Sequence, residues 1–152
     1  MKSIAFFNNK GGVSKTTSVL NIAYILGEVY KRKVLVVDCD GQQNSTRFLC
    51  DTPKENGIEK VLTDTNYETI NALSATRYGN IDVITSTTEM NSCTEKFTQL
   101  SEAQQSINLE KLKAFWNSRY DYVLIDMPPA LNHLTEQILR ISDGVIVPVE
   151  LG

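Results

Sequence analysis

The chain has 152 residues, 41% of them hydrophobic and 22% charged, which is enough for one soluble domain with a packed core. A formal net charge of -3 excludes a globally basic surface of the kind that holds nucleic acid by charge alone. Cys39, Cys50 and Cys93 are widely spaced and form no CxxC pair, which argues against a zinc site or a disulfide framework and for free thiols in a reducing cytosol.

Ser3–Phe7 is a short apolar run and is read as a buried strand. It leads straight into a glycine-rich loop, Asn8–Lys15, so the first residues lack the layout of a signal peptide. Thr16–Tyr30 carries Val19, Leu20, Ile22, Ala23, Ile25 and Leu26 at helical spacing. Lys31-Arg32-Lys33 is a solvated turn. Val34–Val37 is a second strand, ending at Asp38-Cys39-Asp40, and its unbroken β-branched character fits a parallel sheet covered on both faces. Short helices are expected near 43–50 and 57–64, and a third strand over Ile81–Thr85. Leu109, Leu112, Phe115 and Trp116 lie on one helix face, so these aromatics and Tyr120 are read as packing residues. Tyr122–Ile125 is a fourth strand, ending at Asp126 and broken by Pro128-Pro129. Leu134, Ile138 and Ile141 mark a further helix, with His133 a polar residue at its start. Val145–Val147 is a fifth strand. No apolar run approaches the roughly 20 residues of a membrane span.

Strands alternating with helices predict an α/β fold: a P-loop NTPase-like, doubly wound, mostly parallel sheet with helices on both faces. One nucleotide-binding domain is expected over residues 1–152. The chain stops soon after the fifth strand, where a parallel strand would normally feed another crossover helix. The domain is therefore expected to be incomplete at its C-terminal end.

A strand, a glycine-rich loop and a helix in succession place free backbone N–H groups at a helix N-terminus, a ready anion site. The candidate phosphate loop is Lys10-Gly11-Gly12-Val13-Ser14-Lys15-Thr16-Thr17. Gly11 and Gly12 let the backbone approach phosphate oxygens. Lys15 is placed to reach β- and γ-phosphates, and Thr16 to offer its hydroxyl to Mg2+. A strict P-loop pattern fails, because Asn9 and Ser14 stand where glycines are usual; Lys10 is an additional lysine before the glycine pair. Asp38, Asp40 and Asp126 end strands at the carboxyl edge, where doubly wound sheets bind ligands. Carboxylates there can hold the waters of magnesium and orient an attacking water. Cys39, between two of them, should face the other way.

These segments resemble the ParA/MinD family of deviant Walker A ATPases, and within it the ParA/Soj partition branch. The matching pieces are KGGVSKTT at 10–17, DCDGQQNST at 38–46, YDYVLIDMPPAL at 120–131 and SDGVIVPVE at 142–150, in the family's order. The resemblance implies MgATP binding and slow hydrolysis that drive an ATP-dependent dimerisation switch in plasmid or chromosome partition. It implies catalytic roles for Lys10, Lys15 and Asp40. Lys10 would reach into the partner's phosphates across an ATP-bound homodimer, and Asp40 would position water. Thr17 would contact the α-phosphate. Thr16, Asp38 and Asp126 would serve the metal, the two aspartates through water. It further implies a cytoplasmic protein, a ParB-like activator, and non-specific DNA binding only through a later segment. A MinD-like module that binds membrane or protein partners is the alternative. Three departures stand out: Ser14 and Gln43 replace frequent glycines, and Gly41 replaces a frequent proline.

Overall fold

The computed structural model describes residues 1–8 and 13–149. Among the described residues six strands form one sheet: β1 (Lys2–Phe6), β2 (Val34–Asp38), β3 (Leu73–Ala75), β4 (Ile81–Ile84), β5 (Tyr122–Asp126) and β6 (Gly144–Ile146). The helices are α1 (Val13–Tyr24), α2 (Asn44–Leu49), α3 (Ile58–Thr63), α4 (Cys93–Gln99), α5 (Glu102–Asn117) and α6 (His133–Ile141). The strand order is β3-β4-β2-β5-β1-β6. Every pairing is parallel except β3 with β4. The mostly parallel, doubly wound sheet expected from the sequence is thus the fold.

Side-chain parity explains how both faces are covered. On β2, Val34 and Val36 enter one core while Leu35 and Val37 enter the other. On β5, Leu124 joins the first and Val123 and Ile125 the second. The first core closes with Val19 and Ala23 of α1 and Leu49 of α2. The second closes with Ile58, Val61 and Leu62 of α3, Phe97 of α4, Leu112 and Trp116 of α5, and Leu134 and Ile138 of α6. Full burial of each such side chain stabilises the fold by about 1.5–3 kcal/mol, which fixes strand register from both sides. Trp116 and Tyr120 lie in the core as expected, and Phe115 packs on it half-buried.

Local signals set the helix ends. Ser101 and Gln104 form a reciprocal capping box at the start of α5, and Asn132 and Thr135 form one at the start of α6. His133 opens α6, exposed, with Nε2 2.9 Å from Gln105 Oε1. The Lys31–Lys33 turn is exposed.

Three features differ from the sequence reading: the last turn of the first helix, strand β3 and helix α4. The helix expected to run to Tyr30 leaves α geometry after Tyr24 and continues as a π-helical turn, Ile25–Val29. Gly27 in that turn abuts Ile81: a Cβ added there would lie 2.7 Å from Ile81 Cγ1. Strand β3 and helix α4 were not anticipated. β3 is three residues long, and α4 buries only Cys93 and Phe97, so neither carries a legible period. The 3-10 turns Thr69–Ala72 and Thr88–Ser92 flank them. The β6 face is open to solvent, with Val145 and Ile146 exposed. Its inner edge is pinned to β1, where Asp143 Oδ2 accepts from Ser3 N at 2.9 Å and Ser3 Oγ at 3.2 Å. Those bonds, the backbone one first, hold the Asp143 carboxyl below its usual range.

Candidate functional site

Parity also aims the site. Asp38 follows Val34 and Val36 on the α1 face of β2, and Asp126 follows Leu124 on the same face of β5. The two aspartates are register partners on adjacent strands, and Asp126 also pairs with Phe6 at the end of β1. β1 ends at this same carboxyl edge, and the first turn of α1 stands over the aspartates, where Lys15 and Thr16 both donate to Asp126. The placement is a consequence of strand length and pleat rather than of any attraction between the groups.

Asp126 is fully buried and saturated with donors. Its Oδ1 accepts from Lys15 Nζ, and its Oδ2 accepts from Thr16 Oγ1 at 2.9 Å and Ser45 Oγ at 2.7 Å. Lys15 is itself 3% exposed, with Asp40 Oδ2 3.7 Å from its ammonium. A buried ammonium is tolerable only when paired in this way.

Asp38 is held by a separate set of bonds. Its Oδ1 accepts from Asp40 N at 3.0 Å, and its Oδ2 from Thr46 N at 2.9 Å and Thr46 Oγ1 at 2.7 Å. Burial pushes its carboxyl from 3.8 up to about 6; the Thr46 hydroxyl opposes that rise and the neighbouring Asp126 charge adds to it. Thr46 Oγ1 also accepts from Ser86 N at 2.9 Å, which ties the end of β4 into the cluster.

The loop after Asp40 is tightly wound. Asp40 Oδ1 accepts from Gln42 N at 3.0 Å, and Gln43 sits in the left-handed region with φ 60° and ψ 30°. A glycine adopts that conformation freely, whereas a residue with a Cβ is strained by roughly 1–2 kcal/mol. Gly41 lies against the side chain of Asn91: an added Cβ would stand 2.3 Å from its Oδ1. These contacts give physical content to two of the departures noted in the sequence.

Among the predicted residues, Lys15, Thr16, Asp38, Asp40 and Asp126 come together. Ser14 is half-buried and Thr17 exposed in the first turn of α1, which Val13 opens. Lys10, Gly11 and Gly12 lie outside the described residues. Cys39 points into the opposite core, as alternation requires; burial holds its thiol well above the ordinary range. Ser45 and Thr46 were not assigned by sequence reasoning. Their signal is two hydroxyl residues opening a helix seven and eight positions after Asp38.

The sequence profile of the AAA domain family matches residues 1–152. The chain belongs to that family. Within it, the chain is 35% identical over 158 aligned positions to the sporulation initiation inhibitor protein Soj of Bacillus subtilis (strain 168), an alignment covering 98% of this chain and 58% of Soj. The chain thus spans little more than half the length of that relative. Among solved structures, cobyrinic acid a,c-diamide synthase of Mycobacterium smegmatis, with a bound ATP analogue and magnesium, superposes with a TM-score of 0.86 at 29% identity, covering 98% of this chain and 60% of the synthase. A plasmid partition protein of Borrelia burgdorferi superposes with a TM-score of 0.81 at 26% identity, covering 97% and 65%. The resemblance to the ParA/Soj branch is therefore carried by the whole chain and not by the loop alone. Among the described residues no helix is long and apolar enough to cross a membrane.

Proposed function

We propose that this AAA domain binds MgATP at the carboxyl edge of β1, β2 and β5 and hydrolyses it slowly, as the nucleotide-binding part of a partition switch. The observation that carries the reading is the convergence of Lys15 and Thr16, at the start of α1, on the buried Asp126, with Asp40 and Asp38 alongside. A lysine and a hydroxyl at a helix N-terminus, facing strand-end carboxylates, are the groups that phosphoryl transfer asks of a protein.

In this reading Lys15 leaves Asp126 for the β- and γ-phosphates, and Thr17 contacts the α-phosphate. The loop from Lys10 to Ser14 wraps the phosphates with its backbone. Asp40, held by the Gln42 amide and near Lys15, orients the attacking water. The donor set fits magnesium: Thr16, Asp38 and Asp126 offer only hard oxygens. When bound, magnesium would neutralise charge developing on the phosphates.

Lys10 is the proposed in-trans residue of an ATP-dependent homodimer, which hydrolysis would release. A ParB-like activator and non-specific DNA, the latter through a segment outside this chain, are the proposed partners of the whole protein, in a cytoplasmic setting. Relatives such as Soj and the Borrelia partition protein favour this output over a MinD-like one. Calorimetric titration of MgATP tests the core of the reading. Wild-type chain should bind, and Lys15→Ala should lose at least tenfold in affinity. Equal affinity in the two proteins would refute the phosphate assignment.

A further inference from the structure

Two adjacent hydroxyls in the first turn of α2 are committed to different aspartates. Ser45 Oγ donates to Asp126 Oδ2 at 2.7 Å, and Thr46 Oγ1 donates to Asp38 Oδ2 at the same distance. Other hydroxyls on the helices of this chain bond locally. Those of Thr63 and Thr98, and that of Ser142 at the end of α6, donate to the carbonyl four residues back, at 2.6, 2.8 and 2.9 Å. Ser45 instead sends its proton across the site. It is 0% exposed, so water offers no alternative, and Asp126 is its hydroxyl's sole acceptor among the described residues.

The turn that aims Ser45 inward is braced. Gln43, in the left-handed region, carries the chain from Asp40 into α2. From outside, Arg47 Nη2 donates to Gln42 O and, at 3.0 Å, to Asn44 Oδ1.

The three donors on Asp126 are not equivalent. Lys15 and Thr16 are the groups that the MgATP reading sends to phosphate and metal, so both leave the carboxylate when nucleotide enters. Ser45 has no second acceptor to turn to. It alone stays on Oδ2, and Oδ1 becomes free to accept from water. A carboxylate that serves a metal needs a fixed orientation, and removing the hydrogen bond that fixes it typically costs about 10–100-fold in metal affinity. We propose that Ser45 is a positioning residue, the donor that keeps the Asp126 carboxylate in its present orientation once Lys15 and Thr16 have turned to the nucleotide. The role rests on the MgATP reading and falls to a residue not assigned from the sequence.

Calorimetric titrations with ATP, run with Mg2+ and again with EDTA, test it on wild type and Ser45→Ala. Alanine occupies less space than serine, and circular dichroism checks that the variant is folded. Wild type should bind more tightly with Mg2+ than without. Ser45→Ala should lose about tenfold in affinity for MgATP and less than about twofold for free ATP. An equal or larger loss for free ATP would show a structural role only and overturn the proposal. Failure of the wild type to bind either form would refute the MgATP reading and this role together. Binding by the wild type that Ser45→Ala matches in both conditions would refute this role alone. A measurement on the wild type does not depend on the variant: in crystals grown with Mg2+ and a non-hydrolysable ATP analogue, Ser45 Oγ should stay within about 3.2 Å of an Asp126 carboxylate oxygen. A Ser45 hydroxyl turned to any other acceptor there would also overturn the proposal.

Discussion

Replacing Asp126 by asparagine separates charge from hydrogen bonding at the centre of the site. The side chain is isosteric. Its oxygen can still accept from Lys15, and the hydroxyls of Thr16 and Ser45 can turn to accept from its new amide. What is lost is the anion beside a 3% exposed ammonium. Breaking a buried ion pair from one side costs about 3–5 kcal/mol. Asp40 stays 3.7 Å from Lys15 Nζ and retains part of the attraction, and Asp38 is relieved of a neighbouring charge. The expected loss therefore falls near the lower end, about 3 kcal/mol. For a domain of this size it corresponds to a fall in Tm of roughly 6–12 °C. Urea unfolding at pH 7, followed by far-ultraviolet circular dichroism, measures it. The double variant Lys15→Met with Asp126→Leu should recover much of the loss, because no uncompensated charge remains. The reasoning fails if Asp126→Asn stays within about 0.5 kcal/mol of wild type, the range of neutral surface changes. It also fails if the double variant is less stable than the single one.

The Asp38 carboxyl should titrate near 6 in a carbonyl-carbon NMR experiment; a midpoint near 3.8 would contradict the burial argument. Because the folded state holds this proton more tightly than the unfolded chain, Asp38's contribution to stability is full below 3.8, is lost as pH rises towards 6, and is flat above. The change is at most roughly 3 kcal/mol. Gln43→Gly should raise stability by about 0.5–1 kcal/mol by removing a Cβ from the left-handed region; a lower urea midpoint would show that Gln43 makes a contact outweighing its strain. Cys39, Cys50 and Cys93 are buried, and burial pushes the Cys93 thiol up to about 12. The native chain should therefore resist a disulfide reagent at pH 8 and expose all three thiols in urea, and rapid native labelling would refute the burial.

The sheet was legible because β2 and β5 write two faces into consecutive letters. Val34–Val37 has no polar residue, so a parallel sheet covered on both sides was the only economical reading. The position of Asp38 and Asp126 followed from it, since both end such runs. Alternation likewise placed Cys39 in the opposite core. The π-helical turn was not legible, because the apolar spacing of Thr16–Tyr30 continues through it and only the contact between Gly27 and Ile81 marks the change. Nor were Ser45 and Thr46, whose roles depend on α2 folding back over the strand ends. Glu59 is assigned no role in the sequence, where it falls in the short helix expected near 57–64. It is buried, and the Thr87 hydroxyl that donates to it is distant in the chain.

The pairing of Lys15 with Asp126 has a consequence for which anions can enter. With Lys15 paired to Asp126 and near Asp40, the edge behaves as an ion exchanger in its salt form and offers little net attraction to a passing sulfate or phosphate. An anion that drew the lysine away would leave Asp38, Asp40 and Asp126 facing one another with no counter-ion. A ligand that arrives carrying its own cation makes a clean exchange, one ion pair for another. Under the proposed MgATP reading, selection at this edge would act on the metal complex as a unit, and the bare anion would be turned away by the charges it leaves behind.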